Sequence, residues 1–162
     1  MRCAHAEPAE VHGSRDALNL AVRTAWEVPI PDAADVSTRV TALRSELSDH
    51  FGGPLGDLEE PTFLLYRAGG FYRPHRDRAS RTDDAAGTAR ARRVSIVVFL
   101  NAGYTGGALT LYGLIDDPVW RDYGFAVPAT TGLLVAFPSD LLHEVTPVTA
   151  GERYTAVSWF HA

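Results

Sequence analysis

The stretch Gly70-Phe71-Tyr72-Arg73-Pro74-His75-Arg76-Asp77 sets an imidazole and a carboxylate two positions apart in an otherwise apolar, strand-like segment. In an extended chain, side chains at i and i+2 share a face, so His75 and Asp77 can converge on one atom. A divalent metal ion suits that donor pair. A His-x-Asp triplet also arises by chance, so the reading needs a third donor. Of the six histidines, His5, His12, His50 and His161 lie in tails or at a helix end, where a solvated surface role is expected. His143 differs, because it follows the apolar run "GLLVAFP" and a Pro-Ser turn, and it stands just before another apolar run. One reading makes it a histidine at a strand edge. The other completes His75, Asp77 and His143 as a two-histidine, one-carboxylate set, which binds Fe(II) on one face and leaves coordination positions open.

Arg153 opens the apolar run "RYTAVSWF" ten positions later, so its guanidinium points either into the core or out of it. A buried arginine needs an anion, and its planar fork pairs bidentately with a carboxylate. A dicarboxylate held on the metal by one end would supply that anion at the other.

Two kinds of element must position these groups. Ser14 can cap a helix running through "RDALNLAVRTAWEV", where Leu18, Ala21, Val22 and Trp26 recur at helical spacing. Val36, Val40, Leu43 and Leu47 predict a second helix over residues 32–51, ahead of Gly52-Gly53. Both helices are expected to lie against a sheet. From Pro61 onward the period changes: "TFLLYR", "RVSIVVFLN", "GALTLYG", "GLLVAFP" and "RYTAVSWF" are short β-branched and aromatic runs between turn residues. Helices followed by strands, without alternation, predict an α+β fold that is mainly β, with a jelly roll as the natural candidate. Residues 78–92 and 113–129 form two connections longer than a hairpin needs, as binding loops or lids are.

With 162 residues, 46% apolar and 22% charged, the chain fits one globular domain. A net charge of −5 gives no overall attraction to nucleic acid or to an anionic membrane. All the basic residues are arginine. The single cysteine, Cys3, excludes an internal disulfide, and neither the start of the chain nor any later run has the apolar length of a signal peptide or a membrane span. The expectation is a soluble cytoplasmic protein with neither nucleic acid nor membrane as a partner.

Taken in order, "YRAGGFYRPHRD", "RRVSIVVFLNAGYTGGALTLYG" and "GLLVAFPSDLLHEVTPVTAGERYTAVSWF" resemble the Fe(II)/2-oxoglutarate-dependent dioxygenases of the prolyl 4-hydroxylase type, over residues 61–161. The resemblance implies a double-stranded β-helix, a cupin-like distorted jelly roll, with N-terminal helices packed on its larger sheet. It implies a single domain over 1–162, in which residues 1–60 are a helical N-terminal support and 61–162 form the core. It makes His75, Asp77 and His143 the iron ligands and Arg153 the partner of the far carboxylate of 2-oxoglutarate. Tyr66 matches a tyrosine that often hydrogen-bonds the cosubstrate and Trp159 an aromatic lining the same pocket, though each can also be read as core. Many members carry Tyr before the Leu-Asn pair, where this chain has Phe99 before Leu100-Asn101. One hydrogen bond to the cosubstrate is therefore missing or comes from elsewhere, with Thr155 as a possible source. Gly106-Gly107 matches a turn that needs positive φ.

The implied cofactors are Fe(II), 2-oxoglutarate and O₂, and a need for ascorbate is left open. The implied reaction hydroxylates an unactivated C–H bond and releases succinate and CO₂. Asp77 favours hydroxylation over halogenation, since related halogenases have a small residue there. A small molecule or a peptide is the substrate, with a prolyl residue or a free amino acid the first to test. Seven arginines between Arg73 and Arg93 can attract an acidic substrate or be solvated surface, and Trp120, Tyr123 and Phe125 can cover a substrate or pack on the helices. Two rivals stand beside this reading. A catalytically silent jelly roll that holds a metal for sensing or stability does not need Arg153 in a pocket, and a zinc hydrolase leaves Arg153 without a role.

Overall fold

A computed structural model describes residues 6–9, 20–30, 33–79 and 87–162. Short strands β1 (Glu7–Pro8), β2 (Arg23–Thr24) and β3 (Trp26–Glu27) precede helices α1 (Ala33–Ala42) and α2 (Arg44–His50). Then follow β4 (Thr62–Tyr66), β5 (Phe71–His75), β6 (Arg92–Phe99), β7 (Thr105–Gly106) and β8 (Leu109–Tyr112). The last strands are β9 (Gly124–Val127), β10 (Leu134–Pro138), β11 (His143–Val145), β12 (Val148–Ala150) and β13 (Arg153–His161). The larger sheet has the order β1-β3-β4-β13-β6-β10, the smaller β2-β5-β11-β8-β9, and β12 pairs with β7 in a separate ribbon. From β4 onward the chain passes back and forth between the two antiparallel sheets, the winding of a jelly roll. The expected fold class, mainly β, is the one observed, although both observed helices come from the second of the two that the sequence predicts.

Alternation along β6 shows how one strand serves two cores. Val94 and Ile96 share a cluster with Val40 of α1, Leu55 and Phe160, against which Val36, Leu47 and Phe51 pack. Val97 and Phe99 point the other way, into a cluster with Leu109, Leu111 and Phe137 between the sheets. This is why "RVSIVVF" reads as a continuous apolar run: both faces of the strand are covered.

Three expectations change. The end of the first predicted helix is extended, as β2 pairs with β5 and β3 with β4, while its start, residues 14–19, lies outside the described residues. Val22, Thr24, Trp26 and Val28 also alternate with period two, and the open edges of both sheets offer that pattern hydrogen bonds that a helix would not use. The second helix is interrupted at Leu43, whose N–H bonds the Val40 carbonyl three residues back, a tighter turn that separates α1 from α2. The connection over 113–129 contains β9, paired with β8, so the loop proper is 113–123.

His161, expected on the surface, is half-buried and lies 3.0 Å from Glu59 Oε1. His50 is exposed as expected; His5 and His12 lie outside the described residues. Arg92 donates to both Glu59 oxygens at 2.7 Å, with its guanidinium 3.6 Å above the Trp159 ring. Burial alone would raise the Glu59 carboxyl, but its bonds to Arg92 and His161 outweigh this and hold it below its ordinary value. A carboxyl depressed on folding contributes stability that is present above its unfolded pKa and is lost as pH falls through the folded one. Chemical denaturation followed from about pH 7 to about pH 3 is expected to show a smaller loss in Glu59→Gln than in wild type. Glu59→Ala, which leaves Arg92 buried without its partner, is expected to cost about 3 kcal/mol at neutral pH.

Candidate metal centre

His75 and His143 are Cα partners across β5 and β11. The pairing register shifts between His143 and Val145, which faces Tyr72, so the β5 strand accommodates one extra residue around Pro74. That bulge turns two side chains three positions apart, Tyr72 and His75, to one side, where their rings stack at 3.5 Å and 18°. Asp77 lies in the bend just past β5, not on the strand that the i, i+2 reading assumed. It still meets both histidines: its Oδ1 is 3.5 Å from His75 Nε2 and its Oδ2 is 3.5 Å from His143 Nε2. The ligand atoms of all three lie within 4.8 Å of one another.

Backbone carbonyls fix the rings. His75 Nδ1 lies 2.8 Å from the Arg73 carbonyl and His143 Nδ1 3.0 Å from that of Leu141, so each Nδ1 donates to the backbone and each Nε2 is directed at Asp77. Ser95, on the inward face of β6, donates to Asp77 Oδ2 at 2.7 Å, and its oxygen lies 3.0 Å from Ser139 Oγ. Burial would raise the Asp77 carboxyl, but the hydrogen bond to His75, the charges of His143 and His75, and the Ser95 hydroxyl hold it far below the usual carboxylate range. Burial likewise holds His143 below its ordinary value, against the pull of Asp77. An ionised carboxylate and a neutral imidazole are the forms that bind a metal.

Beside the triad, a cavity of about 270 Å³ is lined by all seven residues singled out in the sequence: Tyr66, His75, Asp77, His143, Arg153, Thr155 and Trp159. Arg153 is only 1% exposed, its guanidinium 5.0 Å from the Tyr66 ring centre and 5.4 Å from that of Phe99. Its Nη1 donates to Thr155 Oγ1 at 3.2 Å; its Nε has no hydrogen-bond partner, and no carboxylate pairs with it among the described residues. Asn101 pins the backbone on either side of it, donating to the Glu152 carbonyl and accepting from the Tyr154 N–H, both at 2.8 Å. Gly107, at φ +60°, makes room for it: a Cβ there would lie 3.1 Å from Arg153 Cδ and 2.8 Å from Val148 Cγ2. The Asn101 and Gly106-Gly107 blocks therefore seat Arg153. Phe99 faces Thr155 across β6 and β13, and both side chains adjoin the Arg153 guanidinium.

Sequence reasoning missed Tyr72 and Arg23, which also line this cavity. Pro74 inside a strand was the signal for the bulge that turns Tyr72 inward. Burial pushes the Tyr72 phenol up to about 12, so it stays a neutral donor. Arg23 was assigned to a helix, and the β2–β5 pairing sets it opposite Tyr72, with its guanidinium 4.8 Å from that ring. The loop over 113–123 leaves β8 just after Leu111, which faces His143, and so rises at the metal end of the sheet. On it, Trp120 and Tyr123 stack edge to face, and Tyr123 on Phe125 of β9.

The sequence profile described as 2OG-Fe(II) oxygenase superfamily matches residues 61–161. A PKHD-type hydroxylase of Methylobacterium nodulans is 31% identical over 157 residues, and one of Cupriavidus metallidurans 33% over 158. Each match covers 92% of this chain and 66% of the relative, so the chain spans just under two thirds of the length of these proteins. A Pseudomonas putida prolyl-4-hydroxylase structure aligns with a TM-score of 0.67 at 28% identity, over 86% of this chain and 73% of that one. A Trichoplax adhaerens prolyl hydroxylase, solved with a peptide fragment of the hypoxia inducible factor oxygen degradation domain, aligns at 0.75 and 20% identity. That alignment covers 96% of this chain and 70% of that one, and it speaks to the fold alone.

Because Ser95 holds the ligating carboxylate from behind, Ser95→Ala is expected to weaken Mn(II) binding by about tenfold or more, measured by titration calorimetry, with the fold intact by circular dichroism.

Proposed function

The chain belongs to the 2OG-Fe(II) oxygenase superfamily, and from that membership we propose that it is a 2-oxoglutarate-dependent hydroxylase of a small molecule or peptide. One observation carries the proposal: Arg153, buried and without a carboxylate partner among the described residues, lines the same cavity as the His75, Asp77 and His143 donors. Two neutral nitrogens and one carboxylate oxygen fit Fe(II), and a guanidinium with an unpaired Nε fits the far carboxylate of a dicarboxylate. When bound, iron with 2-oxoglutarate and O₂ supplies the oxidising chemistry, in which one oxygen atom enters a C–H bond and the other enters succinate as CO₂ leaves.

The protein's own groups bind, orient and exclude water. His75, Asp77 and His143 hold the metal, and the Arg73 and Leu141 carbonyls keep both imidazoles aimed at it. Arg153 takes the cosubstrate's far carboxylate, and the Thr155 hydroxyl substitutes for the donor that Phe99 lacks. Tyr66, opposite Arg153 on β4, and Trp159 close the sides of that pocket. Leu64, Leu109, Val145 and Val157 give it apolar walls, which strengthen each polar contact inside. Trp120 and Tyr123 stand where they can cover a substrate.

The strands β1 to β3 extend both sheets of the core, which supports a single domain, and the Val40 cluster supports the helices as a brace for the larger sheet. No described helix is long and apolar enough to cross a membrane. A reducing cytoplasm, which keeps Fe(II) reduced, is the location we infer. Relatives named hydroxylases and a prolyl-4-hydroxylase neighbour support a prolyl residue or a free cyclic amino acid as the first substrate to try.

Anaerobic titration of the Fe(II)-loaded protein with 2-oxoglutarate is expected to develop the visible charge-transfer band of the chelate. His143→Ala is expected to show none, and Arg153→Ala to need at least about tenfold more cosubstrate. Iron demonstrably bound without a band in wild type would overturn the proposal and favour a silent metal-binding jelly roll.

A further inference from the structure

Among the described residues, every large apolar side chain left exposed, Leu20 apart, sits on the connection from β8 to β9: Leu114, Ile115, Val119, Trp120 and Tyr123. Val119 is 82% exposed and the other four between 42% and 52%. Single apolar side chains on a surface need no explanation, but this many in one short loop form a patch of the kind that marks a binding surface. The loop is ordered by its own bonds. Asp117 accepts from the Val119 N–H through its side chain and from the Trp120 and Arg121 N–H groups through its carbonyl, while the Trp120 carbonyl accepts from the Tyr123 N–H. Edge-to-face contacts then run from Trp120 to Tyr123 and on to Phe125 of β9. The backbone polar groups are thus turned in on the loop, and the apolar side chains are held out in water.

Position and charge identify what covers them. The base of the loop lies at the metal end of the smaller sheet, where Leu111 pairs with His143 and the Tyr112 hydroxyl donates to Glu144. None of the five apolar residues lines the cavity, so a molecule held wholly inside it leaves them uncovered. A ligand that covers them and also reaches the triad must extend over the rim, as a polypeptide does. The same loop carries Asp116, Asp117 and Asp122 against one cation, Arg121, and neither Asp116 nor Asp122 is ion-paired among the described residues. A second copy of the chain across a two-fold axis would set this acidic patch against itself, in a protein of net charge −5. A cationic partner meets the charge instead.

We propose that the loop over residues 113–123 is a docking surface for a polypeptide substrate, whose apolar and basic side chains flank the residue that enters the cavity. The inference rests on the hydroxylase reading and specifies its substrate class. Trp120 and Tyr123 give the apolar flank two rigid rings to pack on. Asp116 and Asp122 attract and orient the basic flank. Selection is therefore made outside the cavity, by groups separate from those that hold the metal and 2-oxoglutarate.

The test uses protein loaded with Mn(II) and saturated with 2-oxoglutarate, so that no turnover occurs. Short blocked peptides with a central proline are compared by the anisotropy of a terminal dye, their flanks being leucine with lysine, leucine with glutamate, or serine with glycine. The leucine-lysine peptide is expected to bind about tenfold or more tightly than either of the others, with its proline protons relaxed by Mn(II) and its affinity falling as salt is added. Val119→Ser combined with Trp120→Ser is expected to weaken its binding about tenfold, and Asp116→Asn combined with Asp122→Asn to remove the preference for lysine over glutamate, with 2-oxoglutarate affinity unchanged in both. Equal binding of the three peptides, no binding of the leucine-lysine peptide, binding that leaves its proline unrelaxed, or both double variants behaving like wild type would each overturn the proposal. So would sedimentation of wild type as a dimer that Val119→Ser with Trp120→Ser separates, because the patch would then be a contact between copies. Should the apolar double variant fail to fold, the ranking of the peptides and the aspartate pair still decide. Failure of wild type to bind 2-oxoglutarate would instead sink the hydroxylase reading beneath it.

Discussion

A fixed positive charge set between two β-sheets constrains everything around it. Burying a guanidinium costs free energy unless it finds an anion and hydrogen-bond partners, and an apolar sandwich gives Arg153 few of either. The surrounding residues answer this in two ways. Tyr66 and Phe99 offer ring faces, Thr155 one hydroxyl, and Asn101 and Gly107 fix the backbone and the space for the stem. The remaining demand, an anion for the unpaired Nε, is left open toward the cavity. The protein thus holds an unfavourable arrangement that an anion in the cavity would relieve, and strand β13 keeps it aimed.

The inward residues of β13 show how regular pleating becomes a site. Arg153, Thr155, Val157 and Trp159 alternate into the cavity, while Phe160 joins the cluster beneath the helices. On β6, Ser95 reaches Asp77 and Phe99 lies near Arg153, so one strand supports both the His75, Asp77 and His143 cluster and Arg153. A one-residue slip of either strand would exchange the two faces and remove every one of these contacts at once.

The convergence of His75, Asp77, His143 and Arg153 on one cavity was legible because their chemistry is carried by residue type at short spacing, in strands whose alternation is local information. Tyr72 was not, because three-residue spacing puts it on the far face of a regular strand, and only the bulge at Pro74 reverses that. Arg23 was hidden for another reason. "AVRTAWEV" satisfies both the helical period and the two-residue period, and the choice is made by distant sheet edges that a local window does not contain. The same holds for β9, whose Gly124 and flanking Pro128 read as loop until β8 offers a partner. The break at Leu43 interrupts an apolar spacing that gave no sign of it.

The pairing of His75 with His143 joins strands far apart in the chain, and Asp77 meets both only once β5 and β11 are zipped together. An unfolded chain offers no such set of donors, so a metal held by them would bind the native state and draw the folding equilibrium toward it by mass action. An ion held there would also be a structural staple, closing a long-range contact between β5 and β11. On the proposed reading, chain made where the metal is scarce would rest nearer its unfolding threshold and be more exposed to proteolysis, so a shortage of the ion would be registered as less protein.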